Sequence, residues 1–593
     1  MIRVAAIKTH QLPAGAFAAL AVGEGDPAVI RLLREAQQSK HTMLLRALAA
    51  AASDADPADP GVVAFQAGYR LLARIQVAEP GTYAWVMSLP HLGGWLHDGL
   101  IRLDQNAPPD FAYLACAAAS GAVRAAVSFE LDVPLRDGRV LLPGLGCLEV
   151  TEQSAWVRLR CDGQRLMAGD QLNVPTLHVQ PDYGSDQSVP HWRGTPAVRV
   201  RACGLAWDVL LATDDPYLDR YTIPMSNKLS ADELGRWRGR IQDAWEVLVR
   251  WHRWAAGPIA DGASVIVPLT AQSETDLISA TSPAAFGAVA TSWPPDPVTM
   301  AETLVHEFQH VKLCGLLDMV PLAASGGELV YAPWRQDPRP AAGLLQGIYA
   351  HLGIVRFWQA QRQAETDPDD ILRAHVQFAR WRSALAMAID TLMRTGCLTP
   401  EGGRFIGLLR AQSQALADEP VPGQADQIAR EVTLDHQLTW RIRHVATAAA
   451  AVGSLADAYR AGRPFPDENR PEAGIQEDVR KLGSSVRSRL LTMSYLEPAR
   501  YRELCAAGGL ALSGPDRQLL GRDPEAAVRG YRDLIAGSAD PQPDAWVGLG
   551  LALHQLPASP LRNVFATQLP VMFDVHACLG AGCDPVALAS WFR

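Results

Sequence analysis

The sequence predicts an α+β protein, mainly α-helical with a β-rich insert, and three observations carry that prediction. Apolar residues recur at helical spacing over most of the 593 residues. Between about 127 and 212 the period changes to alternation, and from Leu229 onward the helical period returns. The length exceeds what one hydrophobic core supports, so several domains are expected. These are an N-terminal helical region at 1–126, the insert at 127–212, a metal-binding catalytic domain at 213–452 and a C-terminal helical module at 476–593. A Gly-, Pro- and charge-rich stretch at 453–475 reads as the linker into that last module.

The first long helix is expected over Asp26 to Ala52, where Val29, Leu32, Leu33, Leu44, Leu45 and Leu48 fall on one stripe and Pro57 and Pro60 end it. Pro90, Gly93 and Gly94 suggest a loop through His97, before a helix from Asp110 to Val127. Val127 to Val133 alternates as a half-buried strand does, and Arg136-Asp137-Gly138-Arg139 is a turn into Val140-Leu141-Leu142. Trp156 to Arg160 and Val198 to Arg201 alternate in the same way. Ser230-Ala231-Asp232-Glu233 starts a helix whose stripe of Trp237, Ile241, Trp245, Leu248 and Trp251 reads as core. Val265 to Leu269 is a short buried strand, and helices with breaks at Pro400, Pro420, Pro464 and Pro515 fill the rest.

Composition narrows the function. With 48% hydrophobic and 20% charged residues the chain is globular, and a net charge of −9 argues against a nucleic-acid partner. Nine Cys, an odd number without framework spacing, fit a reducing compartment. Cys578 and Cys583 near His576 read as thiols of a helical segment rather than a metal knuckle. The first residues lack a signal-peptide pattern and no apolar run reaches spanning length, so a cytoplasmic protein without membrane contact is expected. Asp214-Asp215-Pro216 reads as a turn rather than a cation site. His375, His436 and His444 fall in helices as core or surface residues.

The motif that carries chemistry is His306-Glu307-Phe308-Gln309-His310, inside an amphipathic helix expected from Thr299 to Leu317. Two His four apart project about 40° from each other, so both imidazoles reach one metal ion, with Glu307 on the same side. Such an ion needs a third protein ligand. Glu328 has the spacing of a zinc peptidase but follows the loop-like Ala323 to Gly327, and Asp318 lies too far along the helix axis. The next helix, Ala341 to Gln359, offers His351, with Tyr349 and Gln346 nearby, and His351 is the favoured ligand. Between the two helices, Tyr331-Ala332-Pro333-Trp334-Arg335-Gln336-Asp337-Pro338-Arg339-Pro340 presents two Arg in a Pro-stiffened loop, suited to binding a carboxylate. The alternative for Arg335 and Arg339 is a structural network with Asp337 or Glu328.

These residues resemble the HExxH-type 2-oxoglutarate-dependent peptide β-hydroxylases, which modify ribosomally made peptides. The matching pieces are His306 to His310, Lys312-Leu313, Leu316-Leu317-Asp318, Tyr331 to Arg335, Asp337 to Pro340 and Gly347 to Ala350. Upstream, His10 to Pro13, Ser39-Lys40, Leu44 to Arg46, Leu142-Pro143, Leu145-Gly146, Ser282-Pro283 and Phe286-Gly287 match as well. The resemblance spans roughly 1–450 and departs at Cys314-Gly315 and Gln346.

The resemblance implies a zincin-like HExxH helix core and a non-haem Fe(II) oxygenase that hydroxylates a side-chain β-carbon of a precursor peptide while 2-oxoglutarate becomes succinate. His306 and His310 would hold iron, with His351 as third ligand on the helix argument above, and Arg335, Arg339, Trp334 and Tyr349 would line the 2-oxoglutarate site. Glu307 would orient a water or substrate instead of acting as the base. The peptide would add a strand to the β-rich insert or lie along Ser279 to Gly287. The alternatives are a zinc metallopeptidase with Glu307 as base, and a non-catalytic scaffold that presents a precursor to a radical-SAM maturase.

Overall fold

The computed structural model describes the chain except residues 1–9, 152–153, 170–171, 177–178, 180–187, 219–223, 227–228, 271–276, 325, 467–472, 478, 481–484, 507–511 and 539–541. By internal contacts the chain divides into two units, Met1–Pro321 and Leu322–Arg593. The division follows directly on the HExxH helix, inside the segment 213–452. The motif and the downstream candidate ligands therefore belong to different units.

The first unit begins with six helices, α1 (Ala14–Ala21), α2 (Pro27–Asp54), α3 (Pro60–Ala78), α4 (Pro80–Met87), α5 (Pro90–Asp104) and α6 (Tyr113–Arg124). Asp26 and Asp59 cap α2 and α3 through the amides of Val29 and Val62, each ahead of a Pro in the first turn. The loop expected at Pro90 to His97 is a helix, which corrects the sequence reading. Pro90 presets its first turn, and the two glycines that suggested a break serve close packing instead. A Cβ on Gly93 would lie 2.3 Å from the Ala284 carbonyl oxygen, and one on Gly94 2.2 Å from that of Tyr217.

The insert supplies two four-stranded antiparallel sheets. Strands β1 (Phe129–Pro134), β2 (Arg139–Leu142), β3 (Gly146–Glu149), β4 (Trp156–Cys161), β5 (Arg165–Ala168), β6 (Leu172–Pro175), β7 (Ser188–Val189) and β8 (Trp192–Gly194) run in the orders β1-β4-β5-β6 and β2-β3-β8-β7. The expected turn is present, with Asp137 and Gly138 at φ of 49° and 72°, but it carries the chain from one sheet into the other. The inner face of the insert shares one core with α2 to α6, including Leu131, Val133, Leu159 and Trp95.

A third sheet is mixed and five-stranded. Strands β9 (Ala197–Ala202), β10 (Leu205–Leu211), β11 (Val265–Pro268), β12 (Ser279–Ala280) and β13 (Ala288–Thr291) run in the order β12-β13-β11-β10-β9. β10, β11 and β13 are parallel, and the edge strand β12 pairs antiparallel with β13, Ser279 opposite Thr291. Thus the alternating segment at 198–201 belongs to this sheet, not to the two sheets before it. Helices α7 (Ala231–Trp251), α8 (Arg253–Gly262) and α9 (Pro297–Leu317) complete the unit. A capping box of Ser230 and Glu233 starts α7, whose Trp237, Ile241, Trp245 and Leu248 are buried as expected while Trp251 is exposed.

The second unit opens with a short hairpin, β14 (Leu329–Val330) and β15 (Arg339–Pro340). Helices α10 (Ala341–Ala364), α11 (Pro368–Arg394), α12 (Pro400–Ala417) and α13 (Gly423–His444) follow, then β16 (Val445–Thr447) and α14 (Ala449–Arg460). The stretch read as a linker holds the end of α14 and β17 (Ala473–Ile475), which pairs with β16. Helices α15 to α21, between Val486 and Trp591, surround a core of Trp546, Phe565, Met572 and neighbours. His576 places Nε2 3.0 Å from the Cys583 carbonyl oxygen, and Cys578 is exposed. Among the described residues no helix is long and apolar enough to cross a membrane.

Candidate metal centre

Helix α9 is built to hold its motif still. Asp296 accepts from the amide and hydroxyl of Thr299, both at 2.7 Å, and Pro297 presets the first turn. The helix packs against α2, α7, α8 and β13. Buried Lys312 donates to the Gly23 carbonyl oxygen at 2.7 Å, and Gln309 donates to the same oxygen at 3.3 Å. At its end, Asp318 accepts from Lys40 and Gln37, each at 2.8 Å. Hydrogen bonds involving a charged group contribute about 1.5–3 kcal/mol each, so both ends of the motif turn are tied down. His10 and Ser39, two further residues quoted for the resemblance, meet at 2.7 Å.

His306 and His310 come together as the spacing predicts, their rings edge to face with centroids 4.9 Å apart. Both are half-buried. Loss of water contact pulls His306 down to about 4, against the pull of Glu307 and with the help of His310. Its imidazole is thus neutral, the form that binds metal.

Glu307 is only 2% exposed. Each of its carboxylate oxygens accepts a hydroxyl: Ser279 donates to Oε1 and Thr281 to Oε2, both at 2.6 Å. Among the described residues no Lys or Arg pairs with it, and the nearest ionisable partner is His306, whose Nε2 lies 3.9 Å from Oε1. Burying a carboxyl group is costly unless it is hydrogen-bonded, and the two hydroxyls meet that need at both oxygens. Two imidazoles four residues apart with a carboxyl beside them are a donor set that suits a metal ion. Among the described residues no group of three His, Cys, Asp or Glu is gathered around one point.

No protein-family model and no curated protein matches this chain.

The remaining candidate residues sit in the second unit. Trp334 lies flat on His351, with ring centroids 4.0 Å apart and planes at 16°. Gly347, one turn before His351 on α10, makes room for the indole, since a Cβ there would be 2.4 Å from it. His351 Nδ1 lies 2.8 Å from the Gly347 carbonyl oxygen, so it carries the proton and the lone pair falls on Nε2. A ligand histidine needs that tautomer fixed in this way. Tyr349 is fully buried against Phe405, and burial pushes its phenol up. Arg335 and Arg339 share Asp337, their Nε atoms 2.8 and 2.9 Å from its two oxygens. The pairing weighed for them in the sequence is thus present, and it leaves two guanidiniums on one carboxylate. Glu328 is exposed in the loop before β14.

Two histidines read as ordinary helix residues turn out to hold this hairpin. His436 on α13 bonds the Tyr331 hydroxyl at 2.8 Å and the Arg335 backbone, and His444 places Nε2 2.6 Å from the Gln336 carbonyl oxygen. With Trp440, which meets Tyr331 edge to face at 4.9 Å, they form an i, i+4, i+8 stripe on one helix face. That spacing was the available signal. Ser279 on the edge strand β12 and Thr281, the first residue past its end, are equally unforeseen in this role. Asp214 and Asp215 are both engaged, Asp214 accepting from Arg193 and buried Asp215 from Tyr113, each at 2.7 Å.

Proposed function

We propose that this chain is a non-haem Fe(II)/2-oxoglutarate-dependent oxygenase that hydroxylates a side-chain β-carbon of a ribosomally made precursor peptide. The observation that carries the metal centre is the motif turn itself: His306 and His310 meet edge to face, the buried Glu307 carboxyl lies 3.9 Å from His306, and among the described residues no Lys or Arg pairs with it. The mixed sheet with its antiparallel edge strand beside the HExxH helix supports a zincin-like core. His306 and His310 supply two ligands; His351 is assigned as the third on the sequence, and its fixed tautomer supports that assignment.

Bound Fe(II), with three protein ligands on one face, would supply the open positions at which 2-oxoglutarate and O₂ react. Arg335 and Arg339, two cations on one carboxylate, would bind the far carboxylate of 2-oxoglutarate by charge-assisted hydrogen bonds. Trp334 would hold His351 by stacking. Glu307 would act as a hydrogen-bond acceptor, since both its oxygens already receive hydroxyls on the side of β12. The metal fits zinc hydrolysis as well, and the same glutamate separates the two chemistries. A peptidase that loses its general base falls by about 10²–10⁴-fold, so Glu307→Gln would abolish cleavage but leave most of a hydroxylase's turnover.

The direct test is anaerobic reconstitution with Fe(II), followed by O₂ and measurement of succinate formed from 2-oxoglutarate with a candidate peptide. Succinate in step with peptide oxidation is expected. Metal-dependent peptide cleavage without succinate would overturn the proposal in favour of a zinc peptidase. Wild-type protein that takes up no metal would favour a scaffold that presents the peptide, with a radical-SAM maturase as its partner.

A further inference from the structure

The hydroxyl pair on Glu307 calls for an explanation that charge alone does not give. Hydroxyls neutralise nothing, so they direct the carboxylate without quenching it. Ser279 and Thr281 take one oxygen each, which fixes both the position of the group and the rotation of its plane. Where they hold it matters because Oε1 is 3.9 Å from His306 Nε2. With metal–ligand bonds of about 2.1 Å, two ligands of one ion lie roughly 3–4 Å apart. Glu307 is therefore within reach of an ion held by His306, and its present hydrogen bonds turn both oxygens toward the sheet edge.

We propose that Ser279 and Thr281 are positioning residues that withhold Glu307 from the metal, keeping open the coordination position its carboxylate would otherwise take. The inference rests on the metal-centre reading above. It assigns a function in chemistry to the end of β12 and the residue after it: Ser279 and Thr281 would set how many positions at the ion stay open. A carboxylate released from the strand would close on the ion, hold it more tightly and block the co-substrate.

The test uses the full chain, with Co(II) as the metal probe and Fe(II) for turnover. In Ser279→Ala/Thr281→Val, Co(II) affinity should rise, the visible bands of bound Co(II) should move, and the KM for 2-oxoglutarate should increase. Turnover should fall roughly 10- to 100-fold, the range for partners of metal ligands. A tighter metal with slower turnover is a combination that simple damage to the fold does not produce. Two rescues complete the prediction. Thr281→Ser alone should behave as wild type, and adding Glu307→Gln to the double variant should return Co(II) affinity to that of Glu307→Gln.

Unchanged Co(II) bands and affinity in the double variant would overturn the positioning role while leaving the metal centre standing. A wild type that binds no Co(II) would overturn both. Should the double variant fail to fold, Ser279→Ala at the half-exposed edge position carries the same test with a smaller change.

Discussion

Two buried carboxylate centres in this chain are built on opposite plans. In the second unit, fully buried Arg487 on the helix Val486–Leu496 draws in Asp435 and Asp516 at 3.3 Å and Asp544 at 2.8 Å, with Tyr531 donating to Asp516. In the first unit, buried Glu307 has two hydroxyls and, among the described residues, no Lys or Arg paired with it. The Arg487 centre carries its own counter-charge, spread over the donors of one guanidinium. It ties α13 to later helices and requires nothing from outside. The Glu307 centre has hydroxyl donors in place of a guanidinium, and under the proposed function the cation beside it would be the bound metal.

The largest effect is expected where the balance is internal. Arg487→Met leaves Asp435 and Asp516 buried without their cation, and breaking such a network costs about 3–5 kcal/mol. Denaturant unfolding should show that loss equally with and without added metal. A loss that depended on metal would erase the contrast between the two centres.

At the Glu307 centre the dependence should be reversed. Wild-type protein should gain about 2.7 kcal/mol when divalent metal is present at a hundred times its Kd. His306→Ala and His351→Ala should each lose that gain and the bound metal, and His351→Ala should also lower the metal-free stability because the buried His351 ring stacks on Trp334. Thermal unfolding with and without chelator, alongside metal analysis, measures both. If His351→Ala keeps full metal content, the third ligand lies elsewhere and the assignment of His351 fails.

What the sequence disclosed depended on whether the signal was local. The HExxH helix, the capping box at Ser230 and Glu233, and the alternating strands of the insert are written in spacings of two, three and four residues, and each is found where expected. The sheet partners are not. The alternation at Val198 to Arg201 shows a strand but not that β9 joins the sheet beside the metal helix, because pairing depends on residues far along the chain. The Gly93-Gly94 pair misled for the same reason, since glycine that admits a neighbouring carbonyl looks in sequence like glycine that breaks a helix. At the site, His306 and His310 were legible as a pair. The hydroxyls of Ser279 and Thr281, 28 and 26 residues from Glu307, carried no motif.

The smallest effect is expected at the hairpin Leu329–Pro340, where the imbalance is positive and exposed. Arg335 and Arg339 pair with one carboxylate at side chains more than a third open to water, and exposed pairs of this kind contribute about 0–1 kcal/mol to stability. Arg335→Gln and Arg339→Gln should therefore leave unfolding nearly unchanged. If either guanidinium binds the far carboxylate of 2-oxoglutarate, its loss removes a charge-assisted bond of about 1.5–3 kcal/mol from co-substrate binding. The KM for 2-oxoglutarate should then rise roughly 10- to 150-fold, with a smaller change in turnover. Two variants with wild-type KM would show that the second cation on this loop serves only Asp337, and that charge imbalance at a half-exposed surface does not mark a ligand.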